Sequence, residues 1–184
     1  MTNLQTYLHA QLPEVYKWQV LSFMKVEWPF IFSGTDQFSQ DTYPPELDPV
    51  HFVVAKDEAL ISHAEIIQME LKHQGIEYRI YGLGNVFTFP PYRGHGFGQA
   101  VVSAGTNYIA ESGVDAAILF CDPKLSVFYE KAGWEGLPNA STRVGTPNES
   151  EENQGLRMML FISEKGKAGQ ASFVNEPLYI ADPW

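Results

Sequence analysis

The feature that most constrains this chain is the run Phe87-Thr88-Phe89-Pro90-Pro91-Tyr92-Arg93-Gly94-His95-Gly96-Phe97-Gly98-Gln99. An apolar extended stretch leads into two prolines, then three glycines spaced two apart, then a helical pattern. Such a passage is a strand feeding a glycine-rich turn at a helix N-terminus. Glycine lets backbone N–H groups approach a ligand without side-chain clash, and the helix start adds positive potential. Arg93 adds charge-assisted hydrogen bonds to phosphate. The passage is therefore predicted to cradle a pyrophosphate.

Three guests compete for such a cradle. A nucleoside-triphosphate loop needs G-x-x-x-x-G-K-[ST], and no Gly-Lys-Ser or Gly-Lys-Thr occurs. A dinucleotide fingerprint needs G-x-G-x-x-G inside a βαβ unit. Here the spacing is Gly94-x-Gly96-x-Gly98, and the preceding residues read as an antiparallel meander. Coenzyme A is the third guest.

The meander is predicted from three apolar runs. His51–Ala55 is a short strand, and Lys56-Asp57-Glu58-Ala59 a turn. Leu60–Leu71 is a long strand with Ile61, His63, Glu65, Ile67, Met69 and Leu71 on one face. His73-Gln74-Gly75 turns the chain into a third strand, Ile76–Phe89. Upstream, Leu4–Leu12 reads as a strand. Val15, Trp18, Leu21, Met24 and Trp28 recur at helical spacing, so a helix is expected over 14–27, ended by Pro29. Residues 33–49 are rich in turn formers and read as a loop or a short helix, of a length that is often functional. Downstream, Gly94–Ser112 is helical, Ala116–Cys121 a buried strand, and Asp122-Pro123 caps a helix closed by Gly133. Residues 136–155 are polar, Leu156–Ile162 is a strand, and 164–184 a tail.

Composition narrows the partners. Lys plus Arg is 12 against 22 Asp plus Glu, a formal charge of −10. No five-residue stretch holds three cations. A polyanion such as nucleic acid is a poor partner for this surface, whereas a cation is attracted to it. The chain has no run of ~20 apolar residues, so no membrane partner is expected. The single cysteine, Cys121, excludes an intramolecular disulfide framework. MTNLQTYLHA lacks the basic and apolar regions of a secretory signal. A cytoplasmic protein is the expectation. No metal is expected, since the histidines at 9, 51, 63, 73 and 95 show no H-E-x-x-H or Cys/His ligand spacing.

Two motifs in order resemble those of the GCN5-related N-acetyltransferase (GNAT) superfamily. Arg93-Gly94-His95-Gly96-Phe97-Gly98 fits its acyl-CoA signature [QR]-x-x-G-x-[GA]. Phe128-Tyr129-Glu130-Lys131-Ala132-Gly133-Trp134 looks like its "FYEKxGF" helix end. The resemblance covers about residues 50–163 and implies one N-acetyltransferase domain over 1–184. The implied fold is α/β: a mixed, mostly antiparallel sheet flanked by helices, with central strands splayed to admit pantetheine. The implied function is transfer of an acetyl group from acetyl-CoA to a primary amine, by direct attack in a ternary complex. Val86, Phe87, Thr88, Arg93, Gly94, His95, Gly96, Phe97, Gly98 and Gln99 would then bind the cofactor. A backbone N–H near Val86–Thr88 would hold the oxyanion, and Tyr129 would protonate the leaving thiolate. The resemblance also admits a homodimer.

Within the superfamily, Ala59-Leu60-Ile61-Ser62-His63-Ala64, Gly133-Trp134, the segment Thr142–Gly155 and the ending Asp182-Pro183-Trp184 look like aminoglycoside 2′-N-acetyltransferases. There an acidic loop and the C-terminal carboxylate bind a cationic sugar. Glu149, Glu151, Glu152, Asp182 and Trp184 would play that part, with Asp36 from the 33–49 loop. One departure stands out. Those enzymes carry a glutamate on the strand before the glycine loop, and Gly84 occupies that place. Glu65, His63 and Glu27 are the remaining candidates for a base. An acyl-CoA binder without turnover is the alternative that Gly84 motivates, and a nicotinamide-dependent oxidoreductase is a more distant one.

Overall fold

The computed structural model describes residues 2–181. Ten strands and four α-helices are present among them. The strands are β1 (Asn3–Leu8), β2 (Val50–Lys56), β3 (Ala59–His73), β4 (Ile76–Thr88), β5 (Ala116–Cys121), β6 (Glu135–Gly136), β7 (Thr142–Thr146), β8 (Glu149–Glu152), β9 (Leu156–Phe161) and β10 (Leu178–Ile180). The helices are α1 (Glu14–Glu27), α2 (Phe97–Glu111), α3 (Ser126–Glu130) and α4 (Glu164–Asn175). A seven-stranded sheet runs β1-β2-β3-β4-β5-β9-β6, and a three-stranded sheet runs β10-β7-β8. This is the mixed, mostly antiparallel α/β architecture expected. Two tight turns make the meander: Asp57 (φ 56°) between β2 and β3, and Gln74 (φ 47°) with Gly75 (φ 79°) between β3 and β4.

The chain divides into two compact units. The first takes in the chain through Ile67 together with Asn85–Ala104. Its core packs Tyr16, Val20, Phe23 and Met24 of α1 against Val53, Ala55, Leu60 and Phe87. Phe87 stacks on Phe23 at 4.2 Å between ring centres, a contact that contributes beyond buried area. The buried face of α1 differs from the stripe expected. Val15 and Trp18 are 41% and 48% exposed, while Tyr16 and Val20 are buried. Apolar residues ring this helix almost completely, so spacing alone left its inward face undecided.

The second unit takes in Gln68–Gly84 and the chain from Gly105 on. Leu71, Tyr78, Ile80, Ala116, Ile118, Met159, Phe173 and Leu178 form its core. Here β4 and β5 pair in parallel from Ile80↔Ala116 to Gly82↔Ile118, and the pairing stops there although both strands continue. The polar stretch 136–155 carries the end of β6 and the whole of β7 and β8. One expectation is corrected in this unit: the tail over 164–184 holds α4 and β10. Their contacts explain the sequence. A Cβ at Gly166 would overlap the Asp115 carbonyl, and one at Gly169 would overlap the Tyr78 hydroxyl. These glycines let α4 approach closely, at the cost of a helical signal that is weak in the sequence. Ser163 caps α4 by accepting from Gly166 N at 3.1 Å. No helix of the described residues is long and apolar enough to cross a membrane.

Candidate active site

Two sites stand in the first unit. The glycine loop follows β4 through a 3-10 turn at Pro90–Tyr92 and enters α2 at Phe97. Gly94 and Gly96 have φ of 79° and 83°, the left-handed region that glycine alone enters without cost. A Cβ at either would meet no protein atom within 4 Å. The loop backbone thus faces open space, as binding to an external anion requires. Arg93 Nε donates to the Thr88 carbonyl at 3.0 Å, which steadies an exposed guanidinium and leaves its other donors available. His95 holds Arg93 O at 2.9 Å and stacks on Phe97 at 6.2 Å. Gln99 Nε2 is buried with no partner among the described residues. These residues fit a pyrophosphate at the start of a fifteen-residue helix.

The residues before the loop divide in role. Phe87 spends its side chain in the core, so only its backbone can serve a ligand. Ser62 Oγ donates to the Phe87 carbonyl and lies 2.8 Å from Thr88 Oγ1. Val86 is half-buried beside Asn85.

The second site is a buried cluster. The antiparallel register sets His51 of β2 opposite Glu65 of β3, and His63 shares the face of Glu65 two residues away. All three are at most 1% exposed. Asn85 on β4 has φ 49°, and this turn of the backbone sends both its carbonyl and its amide into the cluster. His63 Nδ1 lies 2.9 Å from Asn85 O. A carbonyl only accepts, so this nitrogen carries the proton and Nε2 is bare in the neutral ring. His51 Nδ1–H then donates to His63 Nε2 at 3.2 Å. Glu65 Oε1 accepts from Thr42 Oγ1 at 2.6 Å, and Oε2 from Asn85 Nδ2 at 3.0 Å.

Burial sets the charges here. It lowers His51 to about 2, with His63 adding to the effect, and His63 to about 4. It raises Glu65 to about 7, against the opposing hydrogen bonds from Thr42 and Asn85. Burial, then Glu65, pushes the Tyr43 phenol well above its ordinary value. The ligating atoms of His51, His63 and Glu65 lie within 4.8 Å of one another, close enough for a cation. The hydrogen bonds already occupy the His63 lone pair and both carboxylate oxygens. Sequence spacing missed this group because its members come from neighbouring strands; the register of β2 on β3 was the signal that could have found it.

Thr42 also lines a pocket of about 420 Å³, with Ile31, Phe32, Asp36, Asp41 and Tyr43. Asp36 therefore lies where a substrate could meet it. Asp41 is paired with Lys17 at 2.5 Å and lies 3.6 Å from His9. Glu27 is exposed at the end of α1.

The second unit holds the other expected residues. Tyr129 on α3 is buried, and burial followed by Cys121 raises its phenol, which stays protonated. Burial raises the Cys121 thiol to about 11, and it lies 3.8 Å from Met158 Sδ, an inert setting. Glu149, Glu151 and Glu152 lie exposed on β8. Glu152 borders a cavity of about 520 Å³ with Glu130 and Arg157. Asp182 and Trp184 lie outside the described residues.

A family model for the acetyltransferase (GNAT) domain matches residues 6–137. The chain belongs to the GNAT acetyltransferase family. No curated protein matches its sequence. Solved structures share the fold at low identity. Escherichia coli ElaA superposes with a TM-score of 0.59 at 19% identity, over 86% of this chain and 99% of that one. The E. coli GNAT protein YhbS, in complex with CoA, gives 0.56 at 15%, over 97% and 90%. A probable N-acyltransferase from Enterococcus faecalis gives 0.56 at 20%, over 77% of this chain. The chain spans a third, 33%, of that last protein's length.

Proposed function

We propose that this protein transfers the acetyl group of acetyl-CoA to a primary amine of a small, cationic, aminoglycoside-like acceptor. The observation that carries the reading is the glycine loop. Gly94 and Gly96 hold left-handed backbone against open space, beside the anchored Arg93. The donor supplies an activated thioester. The amine attacks its carbonyl carbon, backbone N–H groups near Val86–Thr88 steady the oxyanion, and the thiolate leaves. Tyr129, kept protonated by burial, is the proposed acid for that thiolate. The charge of −10 and the carboxylates Asp36, Glu149, Glu151 and Glu152 favour a cationic acceptor. The single cysteine suits a reducing compartment such as the cytoplasm.

Mass spectrometry tests the proposal, with acetyl-CoA and a panel of paired aminoglycosides bearing either a 2′-amine or a 2′-hydroxyl, plus spermidine. Acetylation of the 2′-amine members, and not of their 2′-hydroxyl partners, is expected. Tyr129→Phe should lower kcat by about 10²-fold or more while CoA affinity holds. Tight CoA binding with no acetylated amine would favour the binder that Gly84 motivates.

A further inference from the structure

We propose that the pocket bounded by Asp36, Asp41, Thr42 and Tyr43 seats the acceptor's ammonium group, and that Glu65 takes its proton through the Thr42 hydroxyl. The inference rests on the acetyl-transfer reading and names the acceptor seat and the base within it.

Three observations converge. The pocket wall carries two carboxylates: Asp36 has no ion-pair partner among the described residues, and Asp41 is paired with Lys17 and lies 3.6 Å from His9. Thr42 joins this wall to the buried carboxylate, donating to Glu65 Oε1 at 2.6 Å. A hydroxyl donates once and accepts twice, so Thr42 can receive an N–H proton while passing its own to Glu65. Finally, Glu65 is held rather than free: Asn85 Nδ2 fixes Oε2 at 3.0 Å, and His51 Nδ1 lies 3.6 Å from Oε1. Gly84 puts no carboxylate on β4, but the adjacent Asn85 turns into the cluster and holds one from β3.

The groups around Glu65 leave it as the proton acceptor. His51 faces it from β2, His63 from its own strand, Asn85 from β4, and Asp41, Thr42 and Tyr43 from the 33–49 segment; His9 and Lys17 meet Asp41. Both cluster histidines are neutral, so no imidazolium neutralises the carboxylate. Glu65 at about 7 is matched to proton transfer near neutral pH. An alkylammonium, with a pKa of about 10 like lysine, needs such a base. In the step, one ammonium proton moves to Thr42 as the Thr42 proton moves to Glu65. The nitrogen then bonds to the acetyl carbon and the C–S bond breaks. Tyr129 gives its proton to the thiolate, the nitrogen's second proton replaces it on Tyr129, and Glu65 returns its proton to solvent.

Two measurements test this. In protein labelled with 13C-glutamate, the Glu65 carboxyl is assigned by its loss in Glu65→Gln and titrated with and without spermidine. A midpoint near neutrality that falls when spermidine is added is expected; a midpoint in the ordinary carboxylate range, or one spermidine leaves unmoved, overturns the inference. In the acetylation assay, Glu65→Gln should lower kcat/KM about 10²–10⁴-fold and abolish the acidic limb of the pH profile. Thr42→Val should lower it about tenfold or more and Thr42→Ser restore it, a pair that keeps the test alive if Glu65→Gln folds poorly. Wild-type rates and pH profile in Glu65→Gln and Thr42→Val would sink the inference and leave acetyl transfer standing. A spermidine-sensitive Glu65 with no acetylated amine would do the reverse. One equivalent of zinc lost with Glu65→Gln would also overturn it, because the carboxylate would then be a ligand.

Discussion

The loop at Arg93–Gly98 and the cluster at His51, His63 and Glu65 belong to the same unit and are built by opposite means. The loop offers backbone to open space; Arg93 and His95 are exposed, and a Cβ at Gly94 or Gly96 would touch no protein atom. The cluster offers side chains to one another out of solvent, paired over 2.6–3.2 Å except at His51 Nε2, which has no partner among the described residues. An exposed backbone nest is cheap to fold and takes its partner from outside. A buried polar network costs desolvation and is tolerated only when its members satisfy one another. The difference teaches where each is vulnerable: the loop to added bulk, the cluster to a lost or gained proton.

The largest expected effect lies in the cluster and is electrostatic. Glu65 is raised from 4.5 to about 7. Its stability contribution is complete below pH 4.5 and is lost as pH rises through about 7. The full difference is about 3 kcal/mol. The histidines run the other way. Their contribution is complete above 6.5 and is lost as pH falls towards about 4 for His63 and about 2 for His51. Denaturant melts of the wild type and Glu65→Gln between pH 5 and pH 8.5 check this. The wild type should lose stability relative to Glu65→Gln as pH rises, and parallel curves would refute the assignment.

The loop should respond to bulk. Gly96→Val places a β-branched residue at φ 83°, a strained conformation. It also puts methyl groups where a diphosphate would approach. Isothermal titration should show CoA affinity reduced at least about 30-fold, with fold stability lowered by no more than about 2 kcal/mol. A smaller effect is expected for Arg93→Ala, which removes one charge-assisted contact and should weaken CoA about tenfold. Unchanged affinity would leave the loop to bind by backbone alone. The smallest effect is His95→Ala. His95 is exposed and bonds only loop carbonyls, so thermal stability should shift by less than about 0.5 kcal/mol. A large loss would give His95 a role in shaping the turn.

Much of the first unit's order was legible in advance. The meander, the helix over 14–27 and the glycine loop emerge at nearly the expected residues because each is announced by neighbours in sequence. The acidic run at Glu149–Glu152 stands out in the sequence only as polar, yet it pairs with β7 from Thr146↔Glu149 to Arg143↔Glu152. A Cβ at Gly145 would collide with the Glu149 backbone, and two short strands with no alternating apolar face leave no periodic signal. Of the candidate bases, His63 and Glu65 were placed on one face correctly. Their environment was not visible, since the depth of a strand is set by what packs over it.

The sequence by itself determined the glycine loop, the family and the type of fold. These depend on conformational demands that adjacent residues make on one another: glycines at left-handed φ, prolines ahead of a helix, alternating faces along a strand. Only the tertiary structure decided that Thr42, His51, His63, Glu65 and Asn85 form one hydrogen-bonded group. They come from four separate stretches of chain, and antiparallel register together with burial brings them within reach and sets their charge.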